Sequence, residues 1–371
     1  MRSNVRRAAT LYPFVVGLLL AAATGAEGCG LALVGAPEPA EAGAALPDAL
    51  APASAGEDAA TPCEPSPADP RACGICGRDC GGGECRDGEC TPYVIAEALP
   101  APWYVAVDDA SVYVTSHVYR DAGTGALYAL PKDGGAIATL AAFGDSFDLL
   151  VDDTRIVVSS MWDESLYVLP KDASRGPRSV WDGGQTLDLA RRDDVTYFTS
   201  RGPLDHGVRA VTADERTTHL ASLVVNAEIE GVAVDATHVY WASRSGMIGR
   251  ARRDGSERTD QWRTAPRVRR LTLDDDAVYW TSDSSAFRAA KDQGDPIALA
   301  DRVGFGTIVV DARHAYITLD AAGSVVRVNK QDGTEVRVLA SDLERPMGLA
   351  DDGTSIYFTE RDRGRIWRMT K

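Results

Sequence analysis

The sequence predicts an all-β fold built from one unit repeated seven times. Three observations predict it. An apolar run, an acidic turn and a tyrosine-led strand recur as VAVDDASVYVTS (105 to 116), LLVDDTRIVVSS (149 to 160), LARRDDVTYFTS (189 to 200), VAVDATHVYWAS (232 to 243), LTLDDDAVYWTS (271 to 282), VVDARHAYITL (309 to 319) and GLADDGTSIYFTE (348 to 360). The aligned column reads Tyr113, Val157, Tyr197, Tyr240, Tyr279, Tyr316 and Tyr357, at intervals of 44, 40, 43, 39, 37 and 41 residues; a period near 40 is the length of one four-stranded propeller blade. The last copy stops after three strands, while VIAEAL (94 to 99), ahead of the first copy, occupies the register of VRVLAS (336 to 341) and PIALAD (296 to 301). Together these predict a seven-bladed β-propeller over residues 93–371, closed by an N-terminal strand, 94–99, paired with Arg365 to Met369 so that no edge is left open.

Residues 1–28 read as an export signal. Arg2, Arg6 and Arg7 precede an apolar run of 13 residues, Leu11 to Ala23, shorter than the roughly 20 that span a bilayer as a helix. The segment Ala26-Glu27-Gly28-Cys29 resembles a bacterial lipobox, with ordinary cleavage after Ala23 or Ala26 as the other reading. Of seven cysteines, Cys29 alone lacks a neighbour, as a lipid-bearing residue would. The expected localisation is therefore an outer-membrane or periplasmic lipoprotein, or else a secreted protein, with membrane contact only through the lipid. Residues 29–62 read as a disordered tether: positions 30 to 62 hold 12 Ala, 5 Pro and 5 acidic residues, too little apolar surface to offset the entropy of ordering.

Residues 63–90 carry Cys63, Cys73, Cys76, Cys80, Cys85 and Cys90 around a single large aliphatic, Ile75. Such a segment has no conventional core and needs covalent staples, so three disulfides are expected, with fifteen pairings open. The C-x2-C pair Cys73 and Cys76 leaves a zinc knuckle as the competing reading. Both a rigid spacer and a separate recognition knob fit this segment.

Within the propeller each copy should hold four strands. In the first these are Trp103–Val107, Val112–Ser116, Ala126–Leu130 and Ala136–Ala141, here named strands a to d; Asp108-Asp109 turns a into b, and Lys132-Asp133-Gly134-Gly135 turns c into d. The fourth copy, VAVDATHVYWASRSGMIGRARRDGSER (232 to 258), resembles the YWTD repeats of lipoprotein-receptor propellers, although those have six blades. The seventh, MGLADDGTSIYFTERDRGRIWRM (347 to 369), is similar to NHL-type and streptogramin-lyase-like repeats. The order of tether, cysteine-rich segment and propeller resembles surface lipoproteins of Gram-negative bacteria. These resemblances imply the fold; no motif residue matches closely enough to carry a catalytic role across.

Charge narrows the partners. Against 39 Lys and Arg stand 54 Asp and Glu, a net −15 that repels phosphates and excludes nucleic acid as an expected partner. The acidic pairs recur at one turn in most copies, which marks them as turn formers rather than a catalytic dyad, and no D-x-D-x-D-G calcium loop is present. H-E-x-x-H, G-x-S-x-G and phosphate-loop motifs are also absent, so no cofactor or metal site is expected. The residue leaving strand b, by contrast, varies from copy to copy: His117, Met161, Arg201, Arg244, Asp283, Asp320 and Arg361. A repetitive face opposite a varied one is what a scaffold carrying a site shows. Trp103, Tyr104, His117, Trp162, Arg201, Arg244, Asp283 and Arg361 are thus the candidate binding-face residues, with Tyr119, Arg120, Phe147, Asp163, Arg269, Arg270 and Phe305 close by. The leading expectation is a non-enzymatic propeller that binds a protein, peptide or glycan on this loop face. Its alternative is a metal-dependent propeller hydrolase or lyase pairing His117 or His206 with Glu164 or Glu360.

Overall fold

Seven four-stranded antiparallel sheets follow one another along the chain, and the computed structural model describes them through residues 64–117, 125–202, 206–223, 228–292 and 294–371. The expected signal, lipidation site Cys29, tether and Cys63 lie outside the described residues, as do Tyr119 and Arg120. Blade 1 comprises Pro102–Val107, Ser111–Ser116, Gly125–Pro131 and Ala138–Phe143, and blades 2 to 6 repeat the same meander up to Ala340. Blade 7 is assembled from both ends of the propeller: Pro346–Asp351, Ser355–Glu360 and Arg365–Thr370, then Tyr93–Ala96 as strand d. The ring is a seven-bladed propeller closed as the repeat phase requires.

Two boundaries differ from expectation, each for a backbone reason. The closing strand ends at Ala96 rather than residue 99, because Ala98 and Ala101 take φ of 64° and 44° to swing the chain into strand a. Gly364, at φ 66°, turns strand b into strand c beneath this crossing; a Cβ there would lie 2.4 Å from the Leu99 carbonyl oxygen, so only glycine fits. Strand d of blade 1 starts at Ala138, because Gly134 and Gly135, at φ 86° and 131°, lengthen the turn before it.

Both faces of strand b are buried, so the hydrophobic core is a circle of seams between blades. Trp103, Tyr113 and Leu127 pack against Leu149, Ile156 and Val158 of blade 2 and Met347 of blade 7. Each such side chain contributes roughly 1.5–3 kcal/mol by leaving water. The repeated Thr or Ser of strand b adds a polar stitch. Thr115 accepts from the Tyr104 N–H of its own blade and donates to the Phe147 carbonyl of the next at 3.1 Å; Ser159, Thr199, Thr318 and Thr359 donate likewise to Leu187, Glu230, Met347 and Trp103.

The acidic turns prove to do more than turn the chain. Asp108 accepts from the Ala110 and Ser111 N–H groups, as a hairpin cap does, but its other oxygen takes the Tyr113 hydroxyl at 3.0 Å and the Lys171 ammonium of blade 2 at 2.5 Å. The same clasp joins Tyr240, Asp235 and Lys291; Tyr279, Asp274 and Lys330; Tyr316, Asp311 and Lys371; and Tyr357, Asp352 and Lys132, the last running from blade 7 to blade 1. Where Val157 replaces the tyrosine, Arg155 and Arg191 hold Asp152, and Arg253 spans blades 3 and 4 through Tyr197 and Asp193.

These clasps set a pH window. Burial favours neutral Asp108, but hydrogen bonds from Lys171, the turn N–H groups and Tyr113 outweigh it and hold the acid down to about 2; Asp152, Asp235 and Asp352 are likewise lowered. Burial, then Asp235, pushes the Tyr240 hydroxyl up to about 12. An unfolded aspartate titrates near 3.9 and a tyrosine near 10. The unfolded chain therefore binds more protons as pH falls from about 4 towards 2, and fewer as it rises from about 10 towards 12, so stability falls in both windows. Melting temperatures across pH should show a plateau with two shoulders there. A flat acid limb would remove the clasps from the stability argument.

In the cysteine-rich segment Cys73 bonds Cys85 and Cys80 bonds Cys90; Cys76 is also disulfide-bonded, so the zinc reading is not what the structure shows. The four sulfurs of the first two bonds form the buried cluster while Ile75 stays exposed. The segment is no separate knob. A short hairpin, Cys85–Arg86 with Glu89–Cys90, places Glu89 among Arg78, Arg327 and Arg337, at 3.8, 3.5 and 3.5 Å, and so fixes it to the outer strands of blade 6.

Candidate functional site

Strand a lines the ring axis, and in five blades its register slips near its start. Such bulges re-aim side chains. The column just before the paired apolar residue reads Tyr104, Asp148, Asp188, Gly231, Arg270, Thr307 and Gly348. Beside it lies a cavity of about 640 Å³ with residues from all seven blades in its wall.

The floor is an ion cluster. Arg270 of blade 5 reaches Asp148 of blade 2 at 3.1 Å, contacts Asp188 of blade 3, and lies 3.9 Å above the Tyr104 ring of blade 1. Asp148 also accepts the Leu149 and Leu189 N–H groups, and Asp188 that of Val232. Burial works against the Arg270 charge, yet Asp148 and Tyr104 more than offset it and its pKa is raised. Burial raises the Tyr104 phenol too, keeping it a neutral partner for the guanidinium.

The wall is aromatic and the rim basic. Trp103 packs on His117 with ring centroids 4.9 Å apart and approaches Phe305 at 6.4 Å, while Tyr104 meets Phe147 at 5.4 Å. Arg269 caps Phe305 at 4.0 Å and Arg361 caps Trp103 at 5.3 Å. Arg201 and Arg244 converge on Glu230, and Arg345 pairs with Asp320. His117 Nδ1 lies 3.2 Å from Asp145, whose other oxygen accepts from the Ser160 hydroxyl and the Met161 and Trp162 N–H groups. Burial opposes the Asp145 charge, but these bonds, His117 first, hold its pKa down.

Of the eight residues singled out from the sequence, Trp103, Tyr104, His117, Arg201, Arg244 and Arg361 line this cavity. Trp162 stands outside it, 53% exposed on the neighbouring turn, and Asp283 is a partner of Arg267 and Arg269 rather than part of the wall. The acid beside His117 is Asp145, not the Glu164 or Glu360 of the alternative reading; Glu360 is engaged by Arg363, Trp367 and the Glu344 N–H. His206 begins strand c of blade 3 and is not in the wall. Among the described residues, the one grouping of metal-capable side chains is Cys73, Cys80 and Cys90, and all three are in disulfides. Sequence reasoning missed Asp148, Asp188 and Glu230. Reading the strand-a column in register would have exposed the first two as acids, with Arg270 as the one cation, where the remaining blades carry Gly, Thr or Tyr.

The chain is similar in fold to streptogramin B lyase. That structure has 14% identity, a TM-score of 0.61, and coverage of 75% of this chain and 97% of its own. A catalytically inactive virginiamycin B lyase from Staphylococcus aureus with quinupristin gives 13%, 0.62, 76% and 98%. PorZ, a surface component of the type IX secretion system of Porphyromonas gingivalis, gives 13%, 0.53, 74% and 37%. At such identities the likeness to streptogramin B lyase and the others is one of fold. Neither a protein-family model nor a curated protein matches the chain.

Proposed function

We propose that the protein is a non-enzymatic, exported and lipid-anchored propeller that takes a protein, peptide or glycan on the face bearing the cavity. The observation that carries this reading is the union of Trp103, Phe147 and Phe305 with six arginines in one concave wall, the residue types that dominate binding hot spots. Disulfides in the segment before the propeller suit an oxidising compartment outside the cytoplasm. Cys29→Ser should move the protein from the membrane to the soluble fraction, and identical fractionation would remove the anchor from the reading. For the site, a partner pulled down from the native envelope is titrated against two sets of variants. Arg244→Ala with Arg361→Ala should weaken capture about thirtyfold or more at unchanged melting temperature. Asp109→Asn with Asp275→Asn, in exposed turns of the opposite face, should leave it intact. The reverse pattern places the partner on the wrong face.

A further inference from the structure

We propose that the cavity takes an organic anion: a carboxylate carried on an aromatic or branched apolar body. This rests on the binding reading above and names its ligand chemistry. The lining is weighted towards arginine. The chain as a whole carries −15, yet the described wall holds six arginines against only Asp188 and Glu230. Those two acids are already engaged. Asp188 gives one oxygen to Arg270 and the other to the Val232 N–H, and Glu230 receives Arg201 and Arg244. The arginines have acid partners as well, outside the lining: Asp148 for Arg270, Asp283 for Arg269, Asp320 for Arg345 and Asp362 for Arg361. What the wall offers a ligand is therefore guanidinium N–H donors, five to each arginine and not all taken by these pairs, rather than unpaired charge. Its described side chains include no Ser, Thr, Asn or Gln, the neutral groups that would alternate giving and accepting with sugar hydroxyls. Guanidinium forks match a carboxylate's two oxygens. Next to them stands a surface for the apolar body: Phe305 is 40% exposed with Arg269 over its ring, and it approaches Trp103, which Arg361 covers. A volume of about 640 Å³ suits a single small ligand or the last residue of a chain.

Two sources present this chemistry, a free aromatic acid and the C-terminal residue of a peptide, and one titration separates them. The intact chain is titrated calorimetrically with N-acetyltryptophan and its amide, and with a short peptide ending in tryptophan as acid and as amide. Each acid should bind roughly tenfold or more tighter than its amide, since the pair differs only in the charge the arginines would meet. Arg361→Met, which keeps bulk over Trp103, should bring the acid close to the amide; Arg345→Met, at the more exposed rim, serves if the first variant melts early. A peptide acid well above the small acid identifies a chain end, and parity identifies a free acid. Equal affinity for acid and amide, or no binding of either at millimolar concentration, overturns the proposal. If that happens while envelope-partner capture still responds to Arg244→Ala and Arg361→Ala, the ligand class is wrong and the binding reading stands. If capture is indifferent as well, both fall.

Discussion

Deleting residues 92–100 should open the ring. The segment supplies strand d of blade 7, in register Tyr93 to Arg368, Val94 to Trp367 and Ala96 to Ile366, and buries Ile95 and Leu99 among Val105, Val112, Val114 and Leu130 of blade 1. Truncating either large side chain in place should cost about 2–5 kcal/mol, and a whole domain is stable by only about 5–15. The deletion also bares Arg365–Thr370 as an unpaired edge, an invitation to aggregate. We expect a melting temperature lower by on the order of 10 °C or more, or insoluble protein. Deletion of 30–90 removes no blade strand and should leave the propeller folded. A soluble, monomeric 101–371 fragment with an undiminished melting temperature would refute the closure model.

Arg270→Met should be the costliest single substitution on the ring axis. It strands Asp148 and Asp188, both buried, around the volume their cation leaves, and removing one partner of such a cluster costs about 3–5 kcal/mol. The triple variant with Asp148→Asn and Asp188→Asn should recover most of this loss, because the orphaned charge is then gone. Denaturant melts of the single and triple variants read the difference. An Arg270→Met protein as stable as the wild type would show that the cluster is hydrated rather than held.

Whatever recurs in sequence was legible. Six tyrosines at matched positions, a period near 40 residues and a strand-d phrase displaced to the front gave blade count and closure, because each blade solves the same burial problem with similar residues. Pairing between blades was not legible. Lys171 meets Asp108 across 63 positions of sequence only because neighbouring blades pack face to face, and nothing in either turn announces the other. The cysteine pairing was hidden for the same reason. The cavity fell between these cases: the residue after strand b located five wall positions, while Asp148, Asp188 and Glu230 lie at or just before strand a, whose bulges decide which side chains turn inward.

The attachment of Glu89 has a mechanical consequence. A pull arriving along the chain from residue 64 reaches the Cys73–Cys85 and Cys80–Cys90 bonds, then Glu89 with its arginines on blade 6, before it reaches Tyr93. Tension is thereby passed sideways into a neighbouring blade instead of peeling the one joint of the ring that no peptide bond secures. Under such a pull the small segment would act as a strain relief, as a clamp does on a cable ahead of its plug.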